Sequence, residues 1–119
     1  SSSLSSRVAQ VDDQQPFMLV RARARVAARR AFDEWFGAVH LQDIARIPGV
    51  TNVRKGHNGD GTLLAIYGFT STDAVQPALA SPQAAYARGT WERWQPELEE
   101  LLIELWSAAS PIPLFHGIN

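Results

Sequence analysis

Apolar and polar positions along this chain change period several times, and each change marks an element. The run Phe17–Arg25 (FMLVRARAR) begins wholly apolar and then alternates Arg with Ala. Period two is a strand signal. It puts Met18, Val20, Ala22 and Ala24 on one face and Phe17, Leu19, Arg21, Arg23 and Arg25 on the other. The small Ala side chains predict close packing on the first face. From Ala27 to Ile47 the spacing becomes helical: Ala31, Trp35 and Val39, with Phe32, Phe36, Leu41 and Ile44, give a broad apolar stripe. Gly37 weakens the middle of that helix by about 1 kcal/mol relative to Ala, so a break or turn is expected between Gly37 and Gln42. Pro48-Gly49 ends it, since Pro disfavours helical geometry in the residue before it and Gly tolerates positive φ.

Two extended runs follow, Val50–His57 (VTNVRKGH) and Thr62–Phe69 (TLLAIYGF). Asn58-Gly59-Asp60-Gly61 between them is the strongest turn signal in the chain and predicts a hairpin. The second run is apolar on both faces, which predicts that both are covered. Ser71-Thr72-Asp73 opens a helix to about Leu79, with Pro77 inside it, and Ser81-Pro82 starts another through about Trp94, ended by Pro96. The next stretch, LEELLIELWSAASPIP, fits a helix and a doubly covered strand alike. Topology decides. The order β–α–β–β–α–β is the split-βαβ, ferredoxin-like arrangement, an α+β fold whose four-stranded antiparallel sheet needs a last strand beside the first. The segment from about Leu101 to Ala109 is what remains to supply it.

The domain is thus expected over residues 16–110, behind a loose Ser- and Gln-rich arm (1–15) and ahead of a tail (111–119). Nothing in one domain of 119 residues is left to cover the sheet face away from the helices. A second copy would have to do so, which predicts a homodimer. Hydrophobic content of 45% and charged content of 19% are those of a globular protein. A formal net charge of −1 gives no reason to expect nucleic acid or an anionic membrane as partner. There is no cysteine, so disulfides, thiolate metal sites and a cysteine nucleophile are excluded. That fits a cytoplasmic location. No apolar run reaches the roughly 20 residues of a membrane span, and the first residues lack the pattern of a signal peptide.

The run FDEWFGAVHLQDIARIPGVTNVR (residues 32–54) resembles a recurrent segment of the dimeric α+β barrel proteins: two aromatics, a His-Leu four residues on, two spaced apolar positions and Pro-Gly-Val. Within that superfamily it is most similar to the EthD-like and related small-domain branches. The likeness continues through Leu63–Tyr67, Ser81-Pro82 and Thr90-Trp91 to Pro96, covering about Pro16 to Ala109. The motif is fairly specific for the fold and weak for the reaction. Such proteins include cofactor-independent monooxygenases, polyketide and aromatic cyclases, lactone isomerases and aldoxime dehydratases. The resemblance implies a cleft between helices and sheet, with the histidine of the motif, here His40, on its wall.

The candidate chemistry centres on His40, whose side chain type is suited to proton transfer near neutrality. The plain alternative is a buried histidine bonded to a backbone carbonyl. Tyr67, mid-strand, could donate to a developing oxyanion. Trp35, Phe36 and Trp91, with Trp94, are core residues or walls of an apolar pocket for a hydrophobic, aromatic or polyketide-like ligand. Arg21 or Arg23 could anchor a substrate carboxylate or phenolate, or simply pair with acids such as Asp33 and Glu34. His57 is either exposed or a second orienting group, Asp33 could orient a nearby base, and His116 lies in the tail. Three scattered histidines make no metal site. No nucleophile elbow, phosphate loop or dinucleotide fingerprint occurs, so no cofactor is expected. The leading expectation is His40 acid–base chemistry (cyclisation, isomerisation or lyase), ahead of direct oxygenation of a phenol and of ligand binding without turnover.

Overall fold

The computed structural model describes residues 15–107 and 110–116. Strand β1 (Phe17–Ala24) buries Met18, Val20, Ala22 and Ala24, as its alternation requires, and lies between two antiparallel neighbours. Five strands form one sheet in the order β2-β3-β1-β4-β5. They are β1, β2 (Val50–His57), β3 (Leu63–Phe69), β4 (Leu98–Ser107) and β5 (Ser110–His116). The first four are the expected ferredoxin-like sheet. Val20 faces Ala65 of β3 and Ile103 of β4, which brings the small side chains of β1 and β3 to the sheet centre. The two-way segment after Pro96 is a strand. β4 has β1 as a partner along nearly its whole length, and ladder bonds with packing on both sides outweigh a local helical pattern. Beyond it, Ser110–His116 adds a fifth, edge strand to β4 of the same chain.

The first helical segment runs without interruption through Gly37. A short 3₁₀ turn (Val26–Ala28) leads into α1 (Arg29–Trp35), a π-helical turn (Phe36–His40) and α2 (Leu41–Ala45). The expected break is therefore a widening of the helix. After α2, Gly49 takes a φ of 94°, the left-handed geometry anticipated at the Pro-Gly corner. In the β2–β3 hairpin the positive φ falls on Gly61, at 87°, while Asn58 Oδ1 accepts from the Asp60 and Thr62 backbone N–H groups. Two shorter helices follow, α3 (Thr72–Leu79) and α4 (Pro82–Gly89). Ser71 sits at the α3 start without a side-chain bond, whereas Ser81 accepts from Ala84 N–H and caps α4. Helix α4 ends at Gly89, short of the expected Trp94, and residues 90–97 continue as turns and one 3₁₀ turn.

All helices pack on one sheet face, where Phe32, Trp35, Phe36, Trp91 and Trp94 gather over Val20, Leu63, Ala65 and Leu101. The opposite face carries Phe17, Leu19, Ile66 and Leu102, with Leu64 and Trp106 more than a third exposed. Phe17 and Trp106, directly paired across β1 and β4, stack there at 5.9 Å. No helix among the described residues is long and apolar enough to cross a membrane.

Candidate functional site: a sealed histidine and a cavity under the helices

The π turn decides where His40 points. On a regular helix, residues four apart drift by about 40° per step, so Phe32, Phe36, His40 and Ile44 would wander off the core face. One wide turn resets that drift. Phe36, His40 and Ile44 all stay buried, while Val39, expected in the stripe, is turned outward and exposed. Single π turns of this kind recur at functional sites.

His40 is 1% exposed. Trp35 stacks on it at 4.8 Å, Phe36 lies 5.0 Å away and Trp91 meets it edge-on at 5.1 Å. Its Nδ1 has no hydrogen-bond partner among the described residues. The backbone-carbonyl partner of the plain alternative is thus missing at that nitrogen. Burial lowers the pKa of the ring to about 4, so His40 is uncharged at neutral pH. Tyr67 is equally enclosed. Its hydroxyl has no partner among the described residues, and burial pushes its pKa well up, so the phenol stays protonated. Leaving such a group unsatisfied costs roughly 1–3 kcal/mol.

Both residues line one cavity of about 320 Å³ between the helices and the sheet. Its walls come from β1 (Met18, Val20), α2 (Ile44), α4 (Ala84, Ala87), β4 (Leu101, Ile103) and the segment carrying Trp91. Arg88, Gln95 and Leu114 border it with exposed side chains, which marks its mouth. The apolar β1 face and the Ala pair of α4 leave the room. A larger side chain at Ala84 or Ala87 would fill it. Solvent reaches neither His40 Nδ1 nor the Tyr67 hydroxyl in this form. A guest would have to shift a ring to engage them.

Of the residues singled out from sequence, His40, Tyr67 and Trp91 meet at this cavity. Trp35 and Phe36 are not on its wall; they form the cage behind His40. Arg21 projects from the opposite sheet face and pairs with Glu100 at 3.7 Å, because the strand's alternation sends it away from the helices. Arg23 is held by Glu99 at 3.1 Å and Glu100 at 3.3 Å, and Arg30 by Glu34 at 3.5 Å. His57 and Asp33 come together elsewhere, beside an open cleft lined by Arg29, Arg30 and the hairpin loop. Asp33 Oδ1 accepts from Lys55 Nζ at 3.0 Å and pairs with His57 Nε2. Burial acts to raise that carboxyl, but the bonds from His57 and Lys55 outweigh it and hold it below the usual range. No three His, Asp or Glu side chains among the described residues converge as a metal ion would need.

Arg88, Gln95 and Leu114 were not anticipated from sequence. Arg88 stands four residues after Ala84 and three before Trp91. That spacing was the available signal.

No protein-family model matches the chain, and neither does any curated relative. Solved structures do match. An EthD-family protein from Bacillus halodurans C-125 aligns over 74% of this chain and 95% of its own, at 17% identity and a TM-score of 0.57. SnoaB from Streptomyces nogalater, a cofactor-independent oxygenase, aligns over 82% and 95%, at 20% identity and 0.60. A candidate antibiotic biosynthesis monooxygenase from Deinococcus radiodurans aligns over 84% and 98%, at 14% identity and 0.61. At such identities the likeness concerns the fold alone, an α+β fold built on a four-stranded antiparallel ferredoxin-like sheet.

Proposed function

We propose that the chain is a cofactor-independent enzyme whose cavity takes a hydrophobic phenolic molecule and lets it react with dioxygen. The observation that carries this reading is one apolar cavity lined by two neutral polar side chains, His40 and Tyr67, whose buried Nδ1 and hydroxyl have no hydrogen-bond partner among the described residues. Likeness in fold to a cofactor-independent oxygenase supports it.

The depressed pKa of His40 shifts the favoured chemistry away from cyclisation, isomerisation and lyase reactions. Those need a base strong enough for a C–H beside a carbonyl, or an imidazolium populated at neutral pH. A ring with pKa about 4 is neither. Even a phenol, with a pKa of about 10, would lose its proton to it at a cost of roughly 8 kcal/mol. The proton therefore passes as the electron leaves for oxygen, when the oxidised phenol has become a strong acid. Going from phenol to quinone, the substrate gives up its O–H and one ring C–H hydrogen. One oxygen atom enters the ring carbon and the other leaves as water. In this scheme His40 receives the phenolic proton, Tyr67 donates to the oxygen that gains negative charge, and the apolar walls exclude water.

The assay is oxygen uptake by the protein with a bicyclic phenol and no added cofactor. Uptake that falls by about 10²-fold or more in His40→Leu supports the reading. Catalysed turnover that proceeds anaerobically would restore the isomerase and lyase alternatives, and binding without turnover would make this a ligand-binding domain.

The assembly we propose is a homodimer through the outer sheet face. Phe17, Leu19, Leu64, Ile66, Leu102 and Trp106 form an apolar field there, beside Arg21 and Glu100. An exposed field of this kind favours association.

A further inference from the structure

We propose that Arg88 anchors an anionic group of the ligand at the cavity mouth, so that the site selects aromatic carboxylic acids. This inference rests on the cavity being the substrate site.

Arg88 is the one charged side chain among the described residues lining the cavity. Arg21, Arg23, Arg25, Arg30 and Arg46 each sit within 4 Å of an acid. Arg88 has no such acid among the described residues. Its Nη1 donates to the Leu79 carbonyl at 3.1 Å, a bond that leaves most of its five N–H donors open. That tether holds the guanidinium beside the mouth, close to Gln95 and Leu114, and spares part of the entropy of immobilising it when a carboxylate arrives. A planar fork of donors matches a carboxylate in two parallel bonds.

The interior sets the other half of the selection. Val20, Ala84, Ala87, Leu101 and Ile103 offer an anion nothing, and the two polar residues there are uncharged at neutral pH. A charge taken inside would lose its hydration without compensation. A ligand with one neutral oxygen and one carboxylate can therefore enter in one sense: rings and neutral oxygen inward, carboxylate at Arg88. Arg88 would thereby fix which end of the substrate meets His40.

The competing role is structural. Arg88 lies in the last turn of α4, where a cation complements the helix C-terminus, and it ties α4 to the end of α3. A purely structural arginine would affect stability but not the choice between acid and ester.

The test uses 2-naphthoate and its neutral methyl ester, each titrated into the full chain by calorimetry. The expected result is binding of the acid at least tenfold tighter than the ester, with the preference shrinking as salt is added. Arg88→Gln should bring the two to equal affinity while leaving the ester's affinity unchanged, and Arg88→Lys should restore part of the preference. Ala87→Phe, which fills the cavity, should block both probes. Equal binding of acid and ester by the unaltered chain, or a preference that survives in Arg88→Gln, overturns the role of Arg88. In either case blockage by Ala87→Phe would leave the cavity standing as the site. Failure of both probes to bind the unaltered chain overturns both readings.

Discussion

Acidification to pH 5 should weaken this protein chiefly through His40. The folded ring has a pKa near 4, against 6.5 when free. Between those values the unfolded chain binds the proton and the folded chain does not. Stability therefore rises with pH across this window and is lost as the pH falls through it. The whole gap corresponds to about 3 kcal/mol. Roughly 2 kcal/mol of it is lost between pH 7 and pH 5, which for a domain of this size lowers Tm by about 8 °C. Carboxylates also titrate toward the acid end, so the informative quantity is a difference of differences. Urea unfolding of the native chain and of His40→Leu at both pH values isolates the imidazole. The native chain should lose about 2 kcal/mol more than the variant. Proton NMR of the His40 ring gives the same pKa without any substitution, should the variant fold poorly. A pH dependence unchanged in His40→Leu, or a ring titrating near 6.5, would show that the imidazole charges freely in the fold. The sealed aromatic cage would then be wrong.

The other predictions concern neighbouring groups. Tyr67→Phe removes a hydroxyl that has no partner among the described residues, so urea unfolding should show stability unchanged or raised by up to about 2 kcal/mol, while oxygen uptake falls. A loss of stability would mean that the hydroxyl is bonded. Trp35→Ala should cost about 3–5 kcal/mol, since that ring is buried against Phe32, Phe36, Trp91, Trp94 and His40. A cost below 1 kcal/mol would place it on an open wall. Asp33→Asn should change stability by no more than about 1 kcal/mol, because its pairing with Lys55 and His57 is only part-buried. If the homodimer forms, dilution should lower Tm; melting independent of concentration, with a monomer's mass in sedimentation, would end that proposal.

Much of the fold could be read from the residues because each strand carries its own period. The Arg-Ala alternation of β1 fixed which side chains meet the helices, and the Gly-rich hairpin fixed the pairing of β2 with β3. β4 could not be read locally. Leu101, Leu102 and Leu105 suit either structure, and its state is settled by the partner β1, a long-range contact. Of the candidate residues read from the sequence, His40 and Tyr67 line the cavity. The way His40 is presented was not. Gly37 suggests weakness but not a π turn, since a widened turn draws its stability from the aromatic rings packed around it. Arg88 was missed for a related reason. A lone arginine looks like a surface residue until the cavity beside it is seen.

That widened turn has a consequence for how the motif can vary between chains. A π turn amounts to one residue more than an ordinary helix needs between two fixed ends. Removing a single position, Ala38 for instance, would let the helix close into regular turns. His40 would then follow Phe36 by three residues, about 300° around a regular helix, and so keep its place on the buried face. The extra residue is absorbed on the outward side, where Ala38 and Val39 are exposed. Two related chains could therefore bury a histidine at the same place while spacing it three residues from the second aromatic in one and four in the other.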